Sequence, residues 1–293
     1  MRIGLVDVDG HNFPNLALMK ISAYHKLRGD DVQWANSLEW FDKVYMAKVF
    51  DFTHDDLQAY QTDELIRGGT GYDLTNKLPA EIEILFPDYS LYGITDTAYG
   101  FLTRGCPRGC KFCIVGRKEG LESHKIADLS QFWNGQKHIK LLDPNLLASR
   151  DWSDLLQQLA DSYAWVDFTQ GLDIRLMTDD KAAMINKIKI KMLHFAWDNY
   201  PDIRTCNKLK TFRERIELDF RRLRVYVLTN FNTTHEQDLI RVYKLREIGY
   251  DPYIMIYDKA HASKLTRYLQ RWVNNKQIFR TILKFEDYNH RIG

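Results

Sequence analysis

Phe101-Leu-Thr-Arg-Gly-Cys-Pro-Arg-Gly-Cys-Lys-Phe-Cys113 carries three of the chain's four cysteines inside one short loop. Cys106, Cys110 and Cys113 stand at C-x3-C-x2-C spacing, so three thiolates can hold one face of an iron–sulfur cubane. Such clusters ordinarily take four cysteines. With no fourth thiol nearby, one iron is left open for a small molecule, as a catalytic metal site keeps an open position. Gly105 and Gly109 each precede a cysteine, and glycine lets the backbone turn tightly and approach a ligand closely. Amides aimed at cluster sulfides tune the reduction potential. Arg104, Arg108 and Lys111 offset the negative charge of the thiolates and favour the deprotonated form. Phe112 places a flat apolar ring beside the open iron.

The same thiols admit other readings. A zinc knot could use the three cysteines with Cys206 or a histidine, since soft ligands suit zinc equally. Zinc motifs, however, usually come as two separated pairs. A disulfide framework is disfavoured in a large chain without a secretory signal. Cys206, alone in its segment, reads as a buried thiol.

The motif resembles that of the radical S-adenosylmethionine superfamily, C-x3-C-x2-C with an aromatic residue before the third cysteine. The resemblance implies that Cys106, Cys110 and Cys113 ligate a [4Fe–4S] cluster and that Phe112 lies against or near the adenine of S-adenosylmethionine. It further implies that the open iron chelates the amino and carboxylate groups of S-adenosylmethionine. Reductive cleavage to a 5′-deoxyadenosyl radical would follow, which abstracts hydrogen from a substrate the sequence does not name. A one-electron reductant such as flavodoxin or ferredoxin is implied as a partner. Two secondary motifs of the family are missing. No Gly-Gly-Glu-type segment lies between Ile114 and Ser149, where Asp143 and Asn145 stand as substitutes, and Val225–Thr234 replaces the Gly-x-Ile-x-Gly strand. No segment after the strand–helix repeats holds extra cysteines, so an auxiliary cluster is not expected.

At 293 residues, 45% hydrophobic and 27% charged, the composition is that of an ordinary globular protein. The N-terminal Met1–Asp9 stretch is too poor in apolar residues for a signal peptide, and no window reaches the length needed to span a bilayer. A cytosolic location, where thiols stay reduced, is the expectation. The net charge of +2 is uneven: residues 201–293 carry 19 basic against 11 acidic side chains, and residues 1–200 carry 22 against 28. Such asymmetry suggests an anionic or nucleic-acid substrate, or else a solvated helix surface around Lys208, Lys210, Arg213 and Arg215. An alternative of another class is therefore a non-catalytic zinc- or cluster-binding module that recognises nucleic acid.

Strand and helix signals alternate on both sides of the cysteine loop. An apolar run at Ile3–Val8, a helix from Asn15 to Leu27, strands at Asp31–Ala35 and Lys43–Val49 and a short helix at Asp55–Tyr60 define a small open Rossmann-like α/β unit over residues 1–75. A linker with Pro79 and Pro87 covers residues 76–95. From residue 96 to 293 six further strands, beginning at Thr97, Ile139, Trp165, Met192, Arg224 and Tyr253, alternate with helices. Periodicity alone allows a barrel or an open doubly wound sheet, and the resemblance selects a partial (β/α)6 TIM-like barrel.

Ligands of parallel α/β folds bind at the C-terminal ends of strands. Those ends carry Asp143 and Asn145, Gln170, Asp173 and Arg175, Asp198 with Asn199, and Asn230. Each is also an ordinary cap or turn residue. Together they form the expected cofactor-binding ring. Asp173 and Arg175, one residue apart, could bind the ribose or carboxylate of S-adenosylmethionine or pair with each other. The N-terminal unit occupies the place of a cobalamin domain in relatives of this family. Asp9-Gly10-His11 partly matches the cobalt-ligating motif, but Pro14 stands where glycine is expected, and Gly68–Gly71 could serve as the later glycine loop. A degenerate scaffold without cobalamin is the favoured reading.

Overall fold

The computed structural model describes residues 1–10 and 13–291. The chain is mixed α/β, with parallel strands in both of its compact units. The first unit comprises Met1–Gly100 and Ala127–Ile139, and the second comprises Phe101–Ile126 with residues from Lys140 onward.

In the first unit, β1 (Arg2–Asp7), α1 (Leu16–Leu27), β2 (Asp31–Trp34), β3 (Trp40–Ala47) and β4 (Gln61–Gly68) give a parallel sheet in the order β2-β1-β3-β4. Asn15 caps α1 by accepting from the Ala17 and Leu18 N–H groups. The link from β2 to β3 is short and passes over β1 at Gly4. A Cβ there would stand 2.9 Å from the Ala35 Cβ, so glycine makes the crossing feasible. Successive strand residues face opposite ways. Ile3, Leu5 and Ala47 pack with Leu18 and Ile21 of α1, and Val6, Val44 and Met46 pack with Phe41 on the other side.

Two expectations for this unit need revision. Asp55–Tyr60 is not helical. Asp55 pairs with Lys48, and Asp56 accepts from the Gln58 N–H and the Tyr60 hydroxyl, so local side-chain bonds compete with a helical turn. Residues 76–95 are more than a linker. They include α2 (Ala80–Glu83), which buries Ile82 against Ile3 and Leu5, and Tyr89, whose hydroxyl accepts from the Tyr99 N–H and donates to the Phe132 carbonyl. The strand β5 (Thr97–Gly100) closes the unit's first segment.

The second unit begins with β6 (Thr103–Arg104), α3 (Val115–Lys118) and β7 (His124–Lys125). Then β8 (His138–Leu141), whose last two residues belong to this unit, β9 (Trp165–Phe168), β10 (Ile190–Ala196), β11 (Leu223–Thr229) and β12 (Asp251–Ile256) lie side by side in chain order. The helices α4 (Trp152–Asp161), α5 (Asp179–Asn186), α6 (Ile203–Arg213) and α7 (His235–Glu247) alternate with them, and α8 (Lys264–Asn274) and α9 (Lys276–Thr281) follow. Ile139, Leu141, Val166, Leu193, Phe195, Val225, Val227 and Ile254 form the buried face of this sheet. Phe195 meets Phe212 of α6 edge to face at 5.2 Å, which places helices on that side. Among the described residues, no helix is long and apolar enough to cross a membrane.

Candidate metal centre

The three cysteines ride on a loop that is closed at its base and open at its tip. β6 and β7 pair antiparallel, Thr103 with Lys125 and Arg104 with His124. Inside that closure the Cys106 N–H donates to the Gly120 carbonyl. Glu119 ties the loop twice, accepting from Arg104 at 2.7 Å and from the Gly105 N–H at 3.1 Å. Gly105 has φ +82°, and a Cβ on it would lie 2.0 Å from the Glu122 oxygen. That position requires glycine for the loop's own closure.

Asp143 holds the loop from below. Its buried carboxylate accepts from the Leu102 and Thr103 N–H groups and from the Thr103 hydroxyl. Its expected place in the cofactor ring is thus filled by a structural duty at the base of the loop. Burial pushes its carboxyl up to about 6, against the pull of the Thr103 and Leu102 donors. Asn145, also buried, reaches the tip instead. Its Nδ2 lies 3.4 Å from Cys106 Sγ, and its Oδ1 is buried without a partner. Ser123 fixes the Asn145 backbone by donating to its carbonyl.

Cys106, Cys110 and Cys113 are free, partly exposed thiols. Burial raises the Cys110 thiol, Asp198 and Cys113 raise it further, and Arg175 opposes them. Cys110 thus shares one electrostatic neighbourhood with the other two loop cysteines, Asp198 and Arg175. Among the described residues, no three histidine, cysteine, aspartate or glutamate side chains converge closely enough for a single ion. A cubane does not ask for that convergence, because each thiolate binds a different iron.

Asp173 and Arg175 pair with each other, the Arg175 Nε lying 2.8 Å from the carboxylate. Asp173 also holds Arg108, the middle one of the three residues between the first two cysteines. Burial alone would raise the Asp173 carboxyl, but Arg175 and Arg108 outweigh it and hold it below the usual range. A carboxylate 7% exposed thus fastens the cysteine loop to the segment after β9. Asp198, at the end of β10, is raised to about 6 by burial against the pull of Arg241 and Arg175. The fully buried Arg241 binds the Trp197 and Leu228 carbonyls and Asp238, and so fixes the ends of β10 and β11.

The remaining expected ring members, Gln170 and Asn230, follow β9 and β11. Gln170 is exposed in the turn after β9. Asn230 takes φ +59° and donates to the Asp258 carbonyl, which is the behaviour of a turn residue. Phe112 has partners that the sequence reading did not pick out. It meets Phe231 edge to face at 5.5 Å, and Phe231 meets Tyr257 at 4.9 Å. Phe231 stands two residues past β11 and Tyr257 directly follows β12, and an aromatic residue just past a strand end is the signal that could have flagged them.

The other expected ligand loops behave differently. Gly69 has φ +93°, and its Cβ would lie 2.3 Å from the Lys48 carbonyl oxygen, so Gly68–Gly71 folds onto its own chain. Asp9 accepts from the Val49 and Phe50 N–H groups, while His11 lies outside the described residues. Several cations of the basic C-terminal third are engaged internally: Arg246 with the Phe279 and Leu283 carbonyls, Lys276 with Asp251, and Lys208 with the Met177 carbonyl.

Fold and site together define a parallel α/β protein with a thiol-bearing loop beside buried carboxylates and arginines. Solved structures similar to it include two of Streptococcus suis SuiB, one bound to S-adenosylmethionine and one to the precursor peptide SuiA. They share 14% and 12% identity with this chain, cover 64% and 63% of it, and superpose with a TM-score of 0.45 in each case. The chain spans about half of their length, 48% and 47%. No protein-family model matches the chain. No curated protein matches it either.

Proposed function

We propose that the chain is a radical S-adenosylmethionine enzyme built on a partial (β/α)6 barrel, with Cys106, Cys110 and Cys113 as ligands of a [4Fe–4S] cluster. The observation that carries the reading is the grouping of three free thiols on one glycine-closed loop, linked electrostatically to Arg175 and Asp198. The donor set fits the group: three soft ligands, a neutral amide at Cys106 Sγ and two arginines against the negative charge. A cluster held there supplies an electron for reductive cleavage of S-adenosylmethionine.

The chain's own residues do the rest. Asp143 and Glu119 fix both ends of the loop, so the thiols are positioned before any ligand arrives. Asp173 holds both Arg108 and Arg175, and Arg175 opposes the rise that burial imposes on the Cys110 thiol. The Asn145 Oδ1, buried and unpartnered, offers an acceptor for an ammonium or hydroxyl of a bound ligand. Phe112, braced by Phe231, presents an apolar ring for a flat base. The substrate stays open in this reading, and cobalamin has no part in it.

Anaerobic reconstitution with iron and sulfide, followed by dithionite and S-adenosylmethionine, tests the proposal by release of 5′-deoxyadenosine. Product from the natural chain and none from Cys110→Ala is the expected result. Bound zinc, with no cluster, would overturn it in favour of a metal-binding module.

A further inference from the structure

The face of the second unit's sheet opposite its helices is polar, and the site described above does not use its middle. Asp167 of β9, His194 of β10 and Arg224 of β11 project from that face on three neighbouring strands. Met192 pairs with Asp167, and His194 pairs with Arg224, so the three form one band across the sheet. Residues 194 and 196 share a face by strand alternation, and Asp198, in electrostatic reach of Cys110, stands two residues past the end of β10. Ala196, between them, is exposed, so the space along this line is open.

Opposite charges occur in this band without closing on each other. Asp167 and Arg224 form no ion pair with each other, and burial raises the Asp167 carboxyl against the pull of Lys140, then of Lys191 and Arg224. Asp167 Oδ1 is buried without a hydrogen bond, and its ion-pair neighbour is the His194 Nδ1 at 3.5 Å. That imidazole is neutral at physiological pH, because burial and Arg224 lower it to about 4. Arg224 reaches Asp251 through Nη2 at 3.5 Å and leaves its Nε buried and unpartnered. His194 lies flat on Tyr226 at 5.1 Å, which fixes its ring, and the Tyr226 hydroxyl is fixed in turn by the Thr169 carbonyl. The His194 Nδ1 lies 3.1 Å from the Phe168 carbonyl, so that nitrogen carries the hydrogen and Nε2 is an acceptor.

Burying an unpaired carboxylate edge and an unpaired guanidinium edge on one face is costly, and apolar residues of the same size would pack at lower cost. A ligand that donates at one end and accepts at the other satisfies both. We infer that Asp167, His194 and Arg224 form a subsite for the zwitterionic head of a small α-amino acid, its ammonium toward Asp167 and its carboxylate toward Arg224. As a binding site this stands independently of the radical chemistry. As the substrate site, one strand end away from the thiols, it rests on that reading. An amino-acid head could belong to a separate substrate or to the methionyl part of S-adenosylmethionine, and the experiment separates the two.

The full chain, with and without iron and sulfide, is titrated with free L-amino acids and with S-adenosylmethionine, and binding is followed by thermal shift and calorimetry. At least one free amino acid should bind the cluster-free chain, with its N-acetyl and methyl-ester forms at least about tenfold weaker. Asp167→Asn and Arg224→Gln should each weaken it by about tenfold or more, and Arg224→Lys by less than Arg224→Gln. Circular dichroism confirms that each variant is folded, and the isosteric Asp167→Asn keeps the test valid if an arginine variant does not fold. Binding by no free amino acid, or binding unchanged in both variants, overturns the subsite. Binding of S-adenosylmethionine alone, lost in the same variants, overturns its assignment to a substrate. Amino-acid binding without 5′-deoxyadenosine release would leave the subsite standing and count against the enzyme proposal alone.

Discussion

The chain's two parallel sheets are dressed in opposite ways. In the first unit both faces are apolar: Ile3, Leu5 and Ala47 on one side, and Val6, Val44 and Met46 on the other. In the second, one face carries Leu193, Phe195, Val225 and Val227, while the other carries Asp167, His194, Arg224 and Tyr226. A sheet with apolar clusters on both faces serves as a scaffold, and charged side chains on it such as Lys43 and Glu64 pair with each other. One with a polar face has given up packing energy there, and that is where a ligand can be recognised. The loops follow the same division. Gly69 closes its loop over Lys48, whereas the Gly105 loop closes at its base and leaves thiols at its tip.

The largest effects should come from alanine at those two glycines. Both have positive φ, and both would put a Cβ within 2.3 Å of a carbonyl oxygen of another residue. The expected cost of each is about 2–4 kcal/mol, combining left-handed strain with forced displacement of backbone. The consequences should differ by unit. Gly69→Ala should lower the denaturation midpoint while leaving reconstituted iron per chain unchanged. Gly105→Ala should reduce iron incorporation by an order of magnitude or more, because the displaced loop segment carries Cys106. Loss of iron in Gly69→Ala would break the contrast and give the first unit a part in the centre.

Much of this contrast could be read from residue order. The three cysteines, the strand–helix alternation from residue 138 onward and the short reach between Asp173 and Arg175 are local features, and local features survive translation into structure. What sequence order could not reveal was partnership over distance. Asp143 looks like any carboxylate after a strand, yet it is occupied by amides some 40 residues away. Phe231 and Tyr257 became relevant to Phe112 only when β11 and β12 lay side by side. The strand at Gln61–Gly68 has no apolar alternation because it is an exposed edge, so the period-2 signal was never there to find. The polar band did leave a signal: Asp167, His194 and Arg224 each interrupt an apolar strand on alternate positions.

That band should also give the second unit an acid sensitivity. Burial lowers the His194 imidazole from 6.5 to about 4, helped by Arg224. Between those values the unfolded chain binds a proton that the folded chain refuses, so the unfolded state is favoured as pH falls. This contribution to stability is fully present above pH 6.5 and is lost as pH drops toward 4. Its ceiling is about 3 kcal/mol, from about 1.4 kcal/mol for each unit of difference. Urea denaturation of His194→Gln across that range should show a flatter acid limb than the natural chain. Parallel limbs would mean that His194 titrates normally when folded, and the band would lose its neutral centre.

The smallest effect belongs to the fourth cysteine, and it sharpens the comparison most directly. Cys206 lies on α6, half-buried, with its thiol raised by burial and its neighbouring charges supplied by Lys244 and Glu247 rather than by the loop. Nothing links it to Cys106, Cys110 or Cys113, so Cys206→Ser should change stability by no more than about 0.5–1 kcal/mol. Iron per chain should stay at the natural value, while serine at any of the three loop positions lowers it. The contrast matters because a cluster with a fourth protein thiol is a closed electron carrier, whereas one with three keeps an iron for a ligand. Iron lost in Cys206→Ser would mean that α6 and the loop meet around the metal, and the open coordination position on which the proposed chemistry depends would be gone.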